Sequence, residues 1–334
     1  MRLEQIDLST WASALPPSGF EVFHLPAALE VLDGHTSATM RLYAAYKGQE
    51  PVGLLPVFVE QNALGRAALS PPPSMGVPRL GPLVMPTSPK QRKQESVNGE
   101  FVDLLVEELE PEASRSLLRL ECPLSYDDPR PFEWADFDVD PTFTYVLDLE
   151  STTTDAVKRS FSKDLRREIR SADDAGVTVD VEGPEAAMRV YHDVAARYDQ
   201  QDESFALPEA YFEDLVEAMD ERCRVYVARD PDGDYLSGIV ALYSNDTAAF
   251  WQGGVRHTYD GVSVNTRLHW EIIADLVEDP PLDSVWGYDL VGANTPRLCR
   301  YKAKFGADLV PYYTLETGGL GMSVAKRAYQ FVSR

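Results

Sequence analysis

The chain is predicted to be an α+β protein: two tandem domains, each a mixed central sheet flanked by helices, joined by a long amphipathic helix. Three observations lead there. A length of 334 residues exceeds what one core of ordinary size covers and suggests two domains. The order of elements in the first half is echoed in the second: helices, a hairpin, a loop, a helix and a strand. Between the halves, Asp155–Ala175 sets Val157, Phe161, Leu165, Ile169 and Ala172 on one helical face. The expected divisions are residues 1–150, a connecting helix at 151–176, a second domain at 177–316 and a tail helix at 317–334.

In the first half, a short helix is expected near Ser9–Leu15 and a strand at Phe20–His24, followed by a helix opened by Pro26, a favoured first-turn residue. Two runs of β-formers, Met40–Tyr46 and Val52–Val59, flank Lys47-Gly48-Gln49-Glu50 and read as a hairpin. The Pro-rich stretch Ser70–Pro86 is loop, because proline gives no ladder donor. A helix over about Ser88–Glu110 is predicted by Phe101, Leu104, Leu105 and Leu109, and strands by Leu117–Cys122 and Phe143–Leu149.

The second half opens with a strand at Val177–Val181 and helices near Glu185–Tyr198 and Pro208–Met219. Strands Arg224–Arg229 and Tyr235–Tyr243 are joined through Asp230-Pro231-Asp232-Gly233, a strong turn signal. The strand Thr247–Gly254, a loop, the helix Thr266–Val277, the strand Ser284–Leu290, the helix Pro296–Phe305 and the strand Leu309–Glu316 complete the series.

The 54 acidic and 31 basic residues give a net charge of −23. Such a surface repels DNA and anionic membrane. The scatter of acids, with arginine far outnumbering lysine, fits adaptation to high salt, so net charge says little about partners and local departures say more. The clearest departure is the connecting helix, whose polar face carries Arg159, Lys163, Arg166 and Arg170. These cations are candidate ligands for donor phosphates; the structural alternative is pairing with acids of either domain. At molar salt the Debye length is about 3 Å, so only direct phosphate contacts survive, which favours a small phosphorylated ligand. No apolar run approaches a membrane span, and Met1–Asp7 has no signal-peptide pattern. Cys122, Cys223 and Cys299 form no metal or disulfide motif. A cytoplasmic protein with no metal is expected.

Phe161–Ala172 followed by Gly176-Val177-Thr178-Val179 resembles the connecting helix of the Fem-type family within the GNAT acyltransferase superfamily. Trp270–Ala274, Tyr288–Gly292 and Tyr301–Gly306 match the order and spacing of that family's second domain, and Leu54-Leu55-Pro56 with the Ser70–Pro86 stretch resembles its first. The resemblance spans roughly residues 5–316. It implies two GNAT folds and transfer of an acyl group to an amine of a small molecule or peptide. Fem-type members draw an aminoacyl group from aminoacyl-tRNA to build cell-wall cross-bridges; close relatives use acyl-CoA. An acyl-CoA donor is the leading expectation, with aminoacyl-tRNA, and hence a tRNA partner, or a non-catalytic binding module as alternatives. The long coiled-coil arm of some members has no counterpart in this sequence.

The usual GNAT diphosphate loop is missing. In its place Arg256–Thr266 keeps Gly261 and an Asn265 able to cap a helix, so donor phosphate is expected at Arg256, Gly261, Ser263, Asn265, Thr266 and Arg267. In the GNAT fold the donor lies between two splayed strands, here Thr247–Gly254 and Ser284–Leu290. Lys302, in an acid-free stretch, is the first choice to stabilise an oxyanion or phosphate. Asp289 would orient or deprotonate the amine, and Tyr288 would return a proton to the leaving group. Trp251, Gln252 and Tyr312 would line the acceptor pocket. Against these stand a solvated helix lysine, a backbone-bonded core aspartate and core aromatics. His257 and His269 are left off the catalytic list.

Overall fold

The computed structural model describes residues 1–62, 65–109, 116–255 and 258–317. The expected tail helix and Arg256 lie outside the described residues. The chain divides into two units, Met1–Thr142 with Pro311 onward, and Phe143–Val310. Each has its own apolar core.

The first unit contains β1 (Arg2–Ile6), α1 (Leu8–Ala14), α2 (Pro26–His35), β2 (Thr39–Lys47), β3 (Glu50–Asn62), β4 (Gly65–Ser70), β5 (Leu83–Val84), α3 (Gln91–Leu109), β6 (Ser116–Glu121), α4 (Arg130–Trp134) and the start of β7 (Phe137–Asp148). The second contains the end of β7, α5 (Thr154–Ser160), α6 (Lys163–Asp174), β8 (Thr178–Glu182), α7 (Pro184–Asp199), α8 (Glu209–Met219), β9 (Cys223–Arg229), β10 (Tyr235–Tyr243), β11 (Thr247–Gly253), β12 (Thr258–Tyr259), β13 (Val262–Ser263), α9 (Val264–Glu278), β14 (Gly287–Asp289), α10 (Pro296–Lys302) and the start of β15 (Asp308–Thr317), whose end returns to the first unit.

The two sheets follow one plan. In the first unit β1–β2, β2–β3 and β3–β4 pair antiparallel, β4–β6 parallel, and β6–β15 antiparallel. In the second, β8–β9, β9–β10 and β10–β11 pair antiparallel, β11–β14 parallel, and β14–β7 antiparallel. In each, a helix (α3, α9) makes the crossover between the parallel strands, as parallel pairing requires. The expected tandem α+β architecture is therefore present, and β4 and β6 are the counterparts of β11 and β14.

Three sequence expectations are corrected. The single connecting helix is two: Phe161 is extended at ψ 149° and Ser162 caps α6, its Oγ accepting from Leu165 N–H at 3.2 Å. Ser162 N–H donates to Lys304 O at 2.8 Å, which takes it out of any helical ladder. The periodicity misled because Val157, Phe161, Leu165, Ile169 and Ala172 all enter one core, that of the second unit. The expected strand at Phe20–His24 is a 3₁₀ turn over Val22–His24, closed by Glu21 N–H donating to His24 Nδ1 at 3.1 Å. The expected strand at Ser284–Leu290 shortens to Gly287–Asp289. β1 and β4 were not anticipated.

If Ser162 starts an independent helix, Ser162→Ala removes a real N-cap. It should cost about 1 kcal/mol in urea denaturation; an unchanged midpoint would indicate one continuous helix.

Candidate functional site

The second unit contains a parting of strands. β11 and β14 pair over three residues only: Thr247 with Gly287, Ala248 with Tyr288 and Ala249 with Asp289. Beyond Asp289 the chain turns toward β7, with Leu290 N–H donating to Tyr145 O (2.9 Å) and Ala293 N–H to Phe143 O (3.1 Å). Meanwhile β11 stays with β10 as far as Gly253. The divergence leaves a wedge at the carboxyl ends of two parallel strands, a usual place for ligands in such sheets.

Local chemistry shapes each wall. On the β11 side the ladder shifts between Val240–Gln252 and Ala241–Phe250, so Trp251 is the extra residue of a bulge. Two glycines follow. Gly253 has φ +114°, and a Cβ there would lie 2.2 Å from Gly238 O. At Gly254, φ +63°, a Cβ would lie 2.5 Å from Asn265 Oδ1. Only glycine allows this approach. Asn265, at the start of α9, donates from Nδ2 to Tyr301 Oη at 3.3 Å, and its Oδ1 is buried with no hydrogen-bond partner among the described residues.

On the β14 side the controlling group is Lys302. It is 5% exposed, and its ammonium donates to three successive carbonyls: Leu290 O (2.6 Å), Val291 O and Gly292 O (2.5 Å). Burial pulls its pKa down to about 8, opposed by the Asp289 carboxylate. The carbonyls converge because Val291 and Gly292 are left-handed, at φ +42° and +77°, a strained state for a β-branched residue. Asp289, fully buried, accepts at Oδ1 from Thr144 Oγ1 (2.5 Å) and from Val291 N–H (2.8 Å). The predicted oxyanion or phosphate contact of Lys302 is therefore replaced by a backbone clamp. Asp289 likewise holds the turn. Both act on the wedge by fixing its wall.

At the base of the wedge, Tyr288 Oη and His269 Nδ1 are 2.9 Å apart, both buried. His269 packs against Phe250, Tyr288, Tyr301 and Phe305. Burial and then the nearby Lys302 charge hold His269 down at about 3, while burial lifts Tyr288 well above its usual range. The pair is neutral at physiological pH. One histidine on an apolar helix gives no signal in the sequence; the partner of His269 lies on another element.

The remaining candidates separate. Trp251 stacks on Phe212 at 5.0 Å and 9° between planes, so it is core packing. Gln252 pairs with Val240 and Phe250 with Ala241, so the bulge puts Gln252 on the face opposite Phe250 and His269. Tyr312 belongs to the first unit, its ring under Arg79 at 5.1 Å. The expected phosphate loop holds a hairpin, β12–β13, with Asp260 (φ +47°) and Gly261 (φ +78°) as its two-residue turn. Thr266 Oγ1 donates to Glu168 Oε2 at 2.9 Å and lies 3.3 Å from Ser263 Oγ; Arg267 pairs with Asp173 (2.8 Å) and Glu271 (2.5 Å). The described side chains here do not form a cradle for a diphosphate.

The cations of α5 and α6 behave differently. Lys158 sits on Trp270, Arg167 pairs with Asp164, and Lys304 with Glu168. The side chains of Arg159, Lys163, Arg166 and Arg170 make no ion pair or hydrogen bond with any described residue. The expected pairing with acids is absent among the described residues.

Residues 159–303 match the family model of the acetyltransferase (GNAT) domain. No curated protein matches the sequence. Among solved structures, the chain is similar to FemX, at 13% identity over 100% of both chains with a TM-score of 0.70. It is also similar to the C-terminal domain of a putative lysylphosphatidylglycerol synthetase from Agrobacterium fabrum (12% identity, 96% of this chain and 95% of that one, TM-score 0.56). A third is L-PGS from Bacillus licheniformis (12%, 98% and 97%, TM-score 0.55). The matched stretch lies in the second unit, which thus carries a GNAT-like acetyltransferase domain, and the chain as a whole shares the fold of FemX.

A histidine held near 3 in the fold but titrating near 6.5 when unfolded leaves the unfolded state with more bound protons between those values. Its share of stability is complete above pH 6.5 and is lost as pH falls, by about 1.4 kcal/mol per pH unit toward 3. His269→Gln should flatten the dependence of unfolding free energy on pH between 6 and 4. An unchanged slope would mean that His269 is charged in the fold.

Proposed function

We propose that the protein is an aminoacyl-tRNA-dependent N-acyltransferase that joins an aminoacyl group to an amine of a small-molecule or peptide acceptor. One observation carries the choice of donor: four cationic side chains on α5 and α6 make no ion pair or hydrogen bond with any described residue in a chain of net charge −23, while Ser263, Thr266 and Arg267 at the diphosphate-loop position are bound to acids or to one another. Three of the four cations are arginines, whose planar fork suits phosphate oxygens. Lys163, Arg166 and Arg170 are spaced three and four residues along one helix, so they follow one face. The inner side of that helix meets α9 through Glu168 and Thr266. The name of one structural neighbour, a putative lysylphosphatidylglycerol synthetase, agrees with aminoacyl transfer.

In this reading the acceptor nitrogen attacks the ester carbonyl carbon, a C–N bond forms, and the C–O bond to the tRNA ribose breaks. The ammonium gives up a proton and the departing hydroxyl gains one. The bulge at Trp251 bends the β11 wall of the wedge beside the position of the reacting carbonyl. The neutral Tyr288–His269 pair is the hydrogen-bonded group available at the base of the wedge to pass a proton. Lys302 and Asp289 hold the opposite wall.

A second reading, transfer from acyl-CoA, is favoured by the matched acetyltransferase domain and by α9, which begins with no side-chain cap and no acid in its first turn. Its backbone N–H groups, with Asn265, would then hold the phosphates. Incubation with radiolabelled aminoacyl-tRNA or acetyl-CoA, each with a mixed pool of amines, separates the two. Label should leave tRNA for an amine. Transfer from acetyl-CoA with none from tRNA would overturn the proposal.

The cations give a second test. Arg166→Ala with Arg170→Ala should weaken tRNA binding about tenfold or more at 0.15 M salt. It should also lower the slope of log affinity against log salt by roughly one unit per cation removed. An unchanged slope would take phosphate contact away from α6. The acidic remainder of the surface fits a protein adapted to high salt; full activity and an unshifted melting temperature without added salt would contradict that.

A further inference from the structure

The Lys302 clamp is matched to one protonation state by the number of its donors. An ammonium carries three N–H groups, and three carbonyls face it: Leu290 O, Val291 O and Gly292 O. A neutral amine carries two N–H groups and a lone pair. With the proton gone, one of the three carbonyls faces that lone pair. Lys302 is almost fully buried, so little water is at hand to replace the lost donor.

The backbone inside the clamp is the part of the wedge least able to hold its shape alone. Val291 and Gly292 are left-handed, at φ +42° and +77°; glycine adopts this freely, and a β-branched residue does not. Val291 is kept there from both sides, its carbonyl on Lys302 and its N–H on Asp289 Oδ1 (2.8 Å). Loss of the first contact frees the chain after Asp289 to extend along β11. The titratable groups that face the ammonium are Asp289 on β14, His269 on α9 and Cys299 on α10 itself. Asp289 favours the charged form, and burial opposes it, bringing Lys302 down to about 8. His269, held at about 3, and Tyr288, lifted well above its usual range, do not change charge just above neutrality. Cys299 touches the same turn, its thiol donating to Ala293 O at 2.7 Å.

We propose that Lys302 is a protonation-gated latch: as an ammonium it holds the strand exit open, and on losing its proton it releases residues 290–292 and shuts off acyl transfer. The last clause rests on the acyl-transfer reading above. Lys302 is a positioning residue in this role and passes no proton to substrate. The latch opposes the intrinsic chemistry. Acylation of an amine ordinarily speeds up as pH rises, because the free amine is the nucleophile; the latch makes the rate fall. The release is also local. An unfolded lysine keeps its proton to about 10.5, so between about 8 and 10.5 the unfolded state binds more protons than the fold. Over that interval the contribution of this group to global stability rises with pH, and general unfolding does not accompany the release.

Amide hydrogen exchange of the full chain between pH 7 and 9.5, expressed as protection factors, tests the latch without substrate. Leu290, Val291 and Ala293 report it, their N–H groups bonding to Tyr145 O, Asp289 Oδ1 and Phe143 O. Their protection should fall about tenfold with a midpoint at about 8, while the β9–β10 ladder stays protected. Asp289→Asn keeps the acceptor for Val291 N–H and removes the charge that favours the ammonium, so the midpoint should move down by about one pH unit. Cys299→Ser should leave it in place. Constant protection up to pH 9.5, a loss shared by the β9–β10 ladder, a midpoint that ignores Asp289→Asn, or a transition abolished by Cys299→Ser would each overturn the latch. Transfer rates, corrected for spontaneous hydrolysis of the donor, should fall over the same interval and shift with Asp289→Asn. Protection that falls while the rate keeps climbing would uphold the latch and reject its control of the reaction. No transfer from either donor at pH 7 would reject the acyl-transfer reading, with the latch then decided by exchange alone.

Discussion

The second unit depends on two parallel strands being kept apart, and the group that keeps them apart is a buried ammonium. β14 would extend its pairing with β11 if the chain after Asp289 continued as a strand. It does not, because Lys302 gathers the carbonyls of Leu290, Val291 and Gly292 on one side, and Asp289 holds the Val291 amide. An ammonium withdrawn from water loses hydration that these carbonyls replace, and the strained backbone at Val291 is tolerated because the same contacts over-determine it. The opposite wall is set by packing: Gly253 and Gly254 leave no room for a side chain against Gly238 and Asn265. Between them the wedge is fixed before any ligand arrives, which is what positioning an acyl carbonyl requires.

Much of this was legible in the sequence at the level of elements. Pro26, the hairpin around Gly48 and the Asp230–Gly233 turn act through local backbone preferences, and the structure has them where they were read. The site was legible as a place more than as a set of roles. The Tyr301–Gly306 motif and the strand read at Ser284–Leu290 meet at the wedge. Yet the role of Lys302 depends on carbonyls ten to twelve residues away, and that of His269 on a tyrosine nineteen residues on. The helix break at Phe161 was hidden because its cause, the Ser162 amide bonded to Lys304 O, lies in another element. Arg119 and Glu316 are 197 residues apart, and their pairing follows from β15 returning to β6, which no local pattern encodes.

The most direct test of the wedge as the seat of transfer is amide hydrogen exchange of the full chain, with and without a tRNA acceptor-stem minihelix carrying an amide-linked aminoacyl group. Protection is predicted at residues 250–254 and 290–293, the two strand exits, and along α5 and α6. Protection confined to other segments, with those exits exchanging at the rate of the free protein, would contradict the account.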